Sequence, residues 1–308
     1  VIVLIEMGEE RGSPGLREFC AANKNLFNAD VFIASDGPRT APEMPTIFMG
    51  ARGVLNFTMR LNSHTGAHHS GNWGGLLTNP GVVMAHALAS MIDRNGKILV
   101  EGWRNTTLSK SVREAIAKLK VGGGESSPEI NPNWGEPGMT PEERVFGSNT
   151  FEVRAFETGN PQFPANAIPS NAVAFGHLRY VVGTQPEELI PMLRLHLDRH
   201  GFEDITITSE PDPMYATRLE PNHPWVLWIA KSLTHTAGAD IAIVPNLGGS
   251  LPNDVFSEVL GLPTIWVPHS YAGCSQHAPN EHILETTSQS ALKLMTGLWW
   301  DLGESGTP

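Results

Sequence analysis

Val1-Ile-Val-Leu-Ile-Glu-Met-Gly-Glu-Glu-Arg-Gly-Ser-Pro-Gly15 decides how the rest of the chain is read. Val1 to Ile5 is an unbroken aliphatic run, the pattern of a strand buried on both faces of a sheet. Two adjacent carboxylates, Glu9 and Glu10, follow it. Arg11, Gly12, Ser13 and Pro14 then break the strand, and Ser13-Pro14 is able to open a helix. The pattern predicts a carboxylate pair at the carboxyl end of a buried strand, where open α/β sheets place their ligand sites. An isolated Glu-Glu is ordinarily a solvated charge pair. This one is read as a site because two later segments repeat the arrangement.

Asp30-Val-Phe-Ile-Ala-Ser-Asp36 is a second short apolar strand, ending in a carboxylate ahead of Gly37-Pro38. The texture returns near the other end, with short apolar strands at Ile241 to Val244 and Thr264 to Val267 and helices at Val226 to Ala237 and Glu285 to Trp300. His277 lies in a loop between that last strand and that last helix. Glu9, Glu10, Asp36 and His277 are therefore expected at one edge of one sheet, and carboxylates with imidazole are the ligand set for Zn²⁺ or a similar divalent ion.

The middle of the chain reads differently. Strands are expected at Pro45 to Gly50, Val54 to Leu61, Lys97 to Val100, Thr150 to Ala155, Ala172 to Tyr180 and Ile205 to Thr208, and helices at Pro14 to Asn25, Asn79 to Met91, Ser109 to Lys120 and Pro186 to His200. Asn62 to Gly75 is a Gly-rich loop with His64, His68 and His69, whose spacing matches no structural zinc site. Gly122 to Gly124 does not join a strand to a helix and reads as a linker rather than a phosphate loop. An irregular Pro- and Gly-rich insertion is expected up to Glu143. Ser250 lacks the Gly-x-Ser-x-Gly setting of a nucleophile elbow. The chain is thus expected to be α/β, a mostly parallel sheet with helices on both faces built from 1–50 and 213–308, with an α+β unit inserted at 51–212.

At 308 residues, two domains are the default. A net charge of -11 argues against nucleic acid or an anionic membrane surface as the main partner. No apolar run reaches the length of a membrane span. Two cysteines, Cys20 and Cys274, make no disulfide framework, so a cytoplasmic setting is expected.

Six segments, in order, resemble the M20 family of metallopeptidases, in particular its dipeptidase and carnosinase-like members. They are Glu9-Glu10-Arg-Gly-Ser13; Ser35-Asp36; His68-His69-Ser-Gly-Asn-Trp-Gly-Gly75 with Asn79-Pro80; Asn166-Ala-Ile-Pro-Ser170 with Arg179; Gly248-Gly-Ser250; and His277-Ala-Pro-Asn-Glu281. The resemblance implies a catalytic domain with an inserted lid and dimerisation domain, and hydrolysis of an amide in a dipeptide, short peptide or N-acyl amino acid. It implies Glu9 as the general base, then general acid, for an activated water. Glu10 and His277 would hold one metal and Asp36 the other: two zinc ions, with manganese or cobalt as alternatives. His69 would reach a partner subunit's site and stabilise the oxyanion in a homodimer. Arg179 would hold the substrate carboxylate, with Asn166, Gly249 and Ser250 lining the substrate pocket.

The family also carries a His-x-Asp pair and a metal-bridging Asp ahead of its Glu-Glu. Glu9 is preceded by only eight residues, so the expectation is a chain that lacks the first βα units of the catalytic domain. His196-Leu-Asp198 has the His-x-Asp pattern but falls in an expected helix, where side chains two apart do not converge. Two alternatives stay open: a non-catalytic homologue that dimerises through its lid, and a deacylase rather than a dipeptidase.

Overall fold

The computed structural model describes residues 1–122, 128–210, 214–304 and 308. The expected boundary between 212 and 213, and two of the three glycines at 122–124, lie outside the described residues. The main strands are β1 (Phe32–Ala34), β2 (Thr46–Phe48), β3 (Gly53–Asn62), β4 (Thr150–Thr158), β5 (Asn171–Tyr180), β6 (Thr206–Ser209), β7 (Ala242–Val244) and β8 (Thr264–Trp266). The main helices are α1 (Leu16–Ala22), α2 (Pro80–Met91), α3 (Lys110–Ile116), α4 (Pro141–Gly147), α5 (Leu189–Arg199), α6 (Pro224–Ala237) and α7 (Glu285–Glu304). Among the described residues no helix is long and apolar enough to cross a membrane.

One sheet has the order β1-β8-β2-β7, with β1 parallel to β8, β2 parallel to β7, and a single antiparallel pairing of Trp266 with Phe48 at its centre. Alternation along each strand sends neighbouring side chains to opposite faces. Ile47 and Ile265 pack with Val226, Ile229 and Leu233 of α6 and Leu294 and Leu298 of α7. Ala34, Phe48, Val244 and Trp266 pack on the other face with Leu16 and Cys20 of α1 and with Val255 and Phe256. Helices therefore cover both faces, as the continuous apolar strands required. Leu119 and Phe146, from the expected insertion, join this second cluster.

The other sheet, β6-β3-β5-β4, is antiparallel throughout. Its inner face carries Phe57, Met59 and Leu61 of β3 and Ala172, Ala174 and Leu178 of β5, covered by Met84, Ala87 and Met91 of α2 and Leu189, Leu193 and Leu197 of α5. Asn79 caps α2 by accepting from the Gly81 and Val82 amides, and Pro80 fills the first turn, where its missing N–H costs nothing. The opposite face is polar, and Asn56, Glu152 and His177 are cross-strand neighbours on it.

Several sequence expectations are corrected. Val1 to Ile5 forms no strand: Val1, Ile2, Val3 and Ile5 are exposed, because the run has no ladder partner among the described residues. Glu9 and Glu10 consequently lie not at a strand end but on a single 3-10 turn, Glu9–Arg11, closed by Gly12 in the left-handed region. The first helix starts at Leu16 behind Gly15, since Ser13 itself takes a positive φ of 52°. The Pro45 to Gly50 strand is split after Phe48, where the chain leaves the first sheet and Gly50–Ala51 pairs with Thr217–Arg218. A Cβ at Gly50 would lie 2.1 Å from the Thr217 carbonyl oxygen, so only glycine allows this pairing. Lys97 to Val100 makes only a bridge from Ile98 to Ile92, because Asp93 turns the chain by accepting from the Asn95 and Lys97 amides. The expected loop at Asn62 to Gly75 contains a two-residue strand, His68–His69, and a short helix, Ser70–Trp73. The insertion ends earlier than Glu143, because Thr140 and Glu143 form a capping box that starts α4 at Pro141.

Two outcomes test this packing. Gly176 lies opposite Phe57, and a Cβ there would sit 2.3 Å from the ring. Gly176→Ala is expected to destabilise the protein by about 1–3 kcal/mol through overpacking, read from the urea midpoint. On the polar face, burial and the guanidiniums of Arg179, Arg154 and Arg52 push the His177 imidazole from 6.5 down to about 4. Between those values the unfolded chain binds a proton that the native protein does not. Stability should therefore fall as pH drops from 6.5 towards 4, and less steeply in His177→Gln; equal slopes in the two proteins would contradict the assignment.

Candidate active site

The short turn carrying Glu9 and Glu10 is held by its own backbone. The amides of Arg11 and Ser13 donate to the Gly8 carbonyl at 2.9 and 3.0 Å, and the Glu6 carboxylate accepts from the Gly8 amide at 2.8 Å. Asp36 stands two residues beyond β1 and accepts from the Gly37 amide. His277 follows a short strand, Ser270–Tyr271, that pairs with Pro38–Arg39 just after Asp36. That pairing brings the Asp36 and His277 loops to one edge of the molecule.

His277 Nδ1 lies 3.5 Å from Glu10 Oε2, with both side chains largely exposed. Glu9 is half-buried, and its carboxyl is pushed up to about 7 by burial, then by the charges of Asp36, Glu10 and Glu6, against a lowering by His277. Four carboxylates and one imidazole therefore act on one another's charge here: Glu6, Glu9, Glu10, Asp36 and His277. That donor chemistry fits a divalent cation. Among the described residues, however, no three His, Cys, Asp or Glu side chains lie close enough together to hold a metal ion. The residues present thus supply donors and charge for a metal without forming a closed coordination set.

The backbone that carries these groups is unusual. Ser13, Ser275, His277 and Asn280 are the non-glycine residues with positive φ among those described, and all lie in the two loops that bear Glu9 and His277. Such conformations cost about 1–3 kcal/mol each and persist where surroundings impose them. Ser13 is buried, and its hydroxyl has no hydrogen-bond partner.

A second centre is basic. Strand register places Arg179 opposite Val54 on one side and Thr150 on the other, on the polar face of the antiparallel sheet. Its Nη1 donates to Ser250 Oγ at 2.8 Å. Arg52, which the sequence analysis did not single out, lies beside it. Arg52 is 7% exposed and donates to the Gly248 carbonyl at 2.7 Å and to Thr150 Oγ1 at 3.1 Å. Burial first, and then the neighbouring Arg179, bring its guanidinium down to about 9. The signal available in the sequence was Gly50-Ala-Arg-Gly53, a charge between two glycines at a strand start; a Cβ at Gly53 would meet the Tyr180 ring at 2.2 Å. Gly249 and Ser250 are half-buried in the loop that follows Leu247.

His69 and Asn166 stand apart from both centres. The His68–His69 strand pairs with Ala167–Ile168, and the Asn166 carbonyl accepts from the Ser70 amide at 2.9 Å and its hydroxyl at 3.0 Å. His69 is exposed, and its Nδ1 accepts from the Gly71 amide at 3.1 Å. Within the chain, described contacts link this tip to neither the acidic nor the basic centre.

The chain as a whole is similar to known proteins. Over 98% of this chain, and 62% of its own length, the human Beta-Ala-His dipeptidase is 34% identical. The Cysteinylglycine-S-conjugate dipeptidase of Corynebacterium striatum is 26% identical over 81% of this chain and 55% of its own length. The chain thus spans a little over half of the length of the curated relatives it matches. A crystal structure of an M20 family metallo-carboxypeptidase from Sulfolobus solfataricus superposes with a TM-score of 0.80 over 94% of this chain and 68% of its own, at 24% identity, a likeness of fold alone. Residues 49–205, half of the chain, match the model of the M20 peptidase dimerisation domain. On that match the chain belongs to the M20 peptidase family.

Proposed function

We propose that this chain forms part of a metal-dependent hydrolase that cleaves an amide bond in a dipeptide, a short peptide or an N-acyl amino acid. What supports the reading is the charge that Glu6, Glu10, Asp36 and His277 place on the half-buried Glu9, with the His277 imidazole 3.5 Å from Glu10. Glu10, Asp36 and His277 would hold divalent metal, two zinc ions with manganese or cobalt as alternatives. When bound, such ions polarise a carbonyl and make water nucleophilic at neutral pH. Glu9 takes the proton of the attacking water as the C–O bond forms. It returns that proton to the departing nitrogen as the C–N bond breaks. Arg179 and Ser250 receive the carboxylate of the substrate, with Gly249 offering backbone at the same wall, because a guanidinium fork matches a carboxylate in geometry and charge.

Residues 51–212 act as lid and dimerisation unit around the antiparallel sheet. His69 and Asn166, distant from both centres within one chain, complete the site of the partner subunit in a homodimer. The names of the relatives support a dipeptide over an N-acyl amino acid as substrate. The free, buried Cys20 and Cys274 suit a reducing, cytoplasmic setting. The competing reading, a non-catalytic homologue that dimerises through its lid, draws on the absence of a closed three-donor set among the described residues.

Two measurements decide between these readings. Hydrolysis of Cys-Gly, β-Ala-His and N-acetyl amino acids by the full-length protein is followed with added Zn²⁺, Mn²⁺ or Co²⁺. Metal-dependent turnover is expected, and Glu9→Gln should lower it at least about 10²-fold while elemental analysis shows the metal content unchanged. Metal lost along with activity would make Glu9 a ligand, and no turnover with any ion would favour the non-catalytic reading. Arg179→Lys should reduce kcat/KM about tenfold or more for dipeptides with a free carboxylate, and far less for their carboxamides. An equal loss on both would remove Arg179 from carboxylate recognition.

A further inference from the structure

His196 is the histidine of the His-x-Asp pattern, and the structure separates that pair. Asp198 turns to Arg194 at 2.6 Å, while His196 is buried against α2. The partner that His196 does meet is His200, one helical turn further on. Their ring centroids lie 4.2 Å apart at an interplanar angle of 31°. Both rings line a cleft of about 680 Å³ with Ser90, Leu99, Gly102 and Met192. This cleft lies on the helical side of the antiparallel sheet and shares no residue with the acidic or basic centre.

The hydrogen bonds fix which nitrogens are open. Ser90 Oγ donates its single proton to the Ala87 carbonyl at 2.7 Å, so at 3.1 Å it accepts from His196 Nε2–H. That leaves the lone pair on His196 Nδ1. His200 Nδ1 lies 2.7 Å from the His196 carbonyl, which only accepts, so Nδ1 carries the proton and the lone pair is on Nε2. Each imidazole therefore has one nitrogen pinned by a hydroxyl or a backbone carbonyl and the other unclaimed. This is the arrangement that orients histidines for metal: the pinned N–H fixes tautomer and ring, and the free nitrogen coordinates.

We infer that His196 and His200 form a two-nitrogen site for a divalent transition ion in the cleft between α2 and α5, separate from the acidic centre. His200 caps α5 one turn beyond His196, and with the two ring centroids 4.2 Å apart one ion is able to bridge them. Imidazole pairs favour Cu²⁺, Ni²⁺ and Zn²⁺ over the oxygen-seeking Mg²⁺ and Ca²⁺. Two nitrogens are half of a tetrahedral set. Water in the open cleft supplies the rest, and Glu101, at the rim in an ion pair with Arg199 at 3.0 Å, offers a carboxylate.

The test uses Cu²⁺ and the full chain carrying ring-labelled histidine. Paramagnetic Cu²⁺ broadens the ring signals nearest to it, and single substitutions assign them. At substoichiometric Cu²⁺, the His196 and His200 signals should broaden ahead of those of the chain's other histidines. The effect should persist in His277→Gln, which removes the imidazole of the acidic centre. In His200→Gln, an exposed position at which the fold is checked by circular dichroism, Cu²⁺ affinity at His196 should fall at least about tenfold through loss of the chelate. Broadening that begins at His64, His68 or His277, or that is unchanged at His196 in His200→Gln, would overturn the inference.

Discussion

The buried guanidinium of Arg52 is the constraint on which the arrangement of the two sheets depends. Its backbone amide donates to the carbonyls of Leu247 and Gly249, both at 3.1 Å, and its side chain reaches Gly248 and, across to β4, Thr150. One residue at the crossing between sheets thus holds the whole 247–249 turn and the antiparallel sheet together. Hydrogen bonds from a charged donor contribute about 1.5–3 kcal/mol each and, with the nearby Glu152 carboxylate, offset part of the cost of burying the cation. The close pairing of Gly50–Ala51 with Thr217–Arg218, the outgoing and returning chain, is what brings Arg52 to that position.

Charge is segregated into two centres. Carboxylates surround Glu9 in one, and Arg52 and Arg179 stand together in the other. Each charge is disfavoured where it stands: burial and then the neighbouring acids raise the pKa of Glu9, and burial and then Arg179 lower that of Arg52, against a raising by Glu152. Like charges held together in a folded protein are a cost that binding of opposite charge relieves. The acidic centre suits a cation and the basic centre an anion.

The acidic side is also where the backbone is strained. Positive φ angles at Ser13, Ser275, His277 and Asn280 confine the strain to the loops that present Glu9, Glu10 and His277, while the sheets beneath are regular. Loops of this kind, set on a rigid scaffold, are where an adjustment of side-chain position is least costly. The approach of His277 to Glu10 joins the two strained loops directly.

The sequence by itself determined the elements whose signals are local. Alternation in Val54 to Leu61 and Ala172 to Tyr180, the Asn79-Pro80 cap and the apolar strands at Thr264 and Ile241 all appear where their periodicity put them, because side-chain pattern and capping act within a few residues. The resemblance carried by six short segments likewise led to the M20 family. What only the tertiary structure decided depends on partners far along the chain. Val1 to Ile5 has the composition of a strand but no ladder to join among the described residues, and Glu9 and Glu10 sit on a turn. Arg52 is an unremarked charge in sequence and a buried tie between sheets in space, since its acceptors lie about 100 and 200 residues away. His196 looked like half of a His-x-Asp pair; helical geometry turned it instead towards Ser90 and His200, because side chains meet at one full turn and not at two residues.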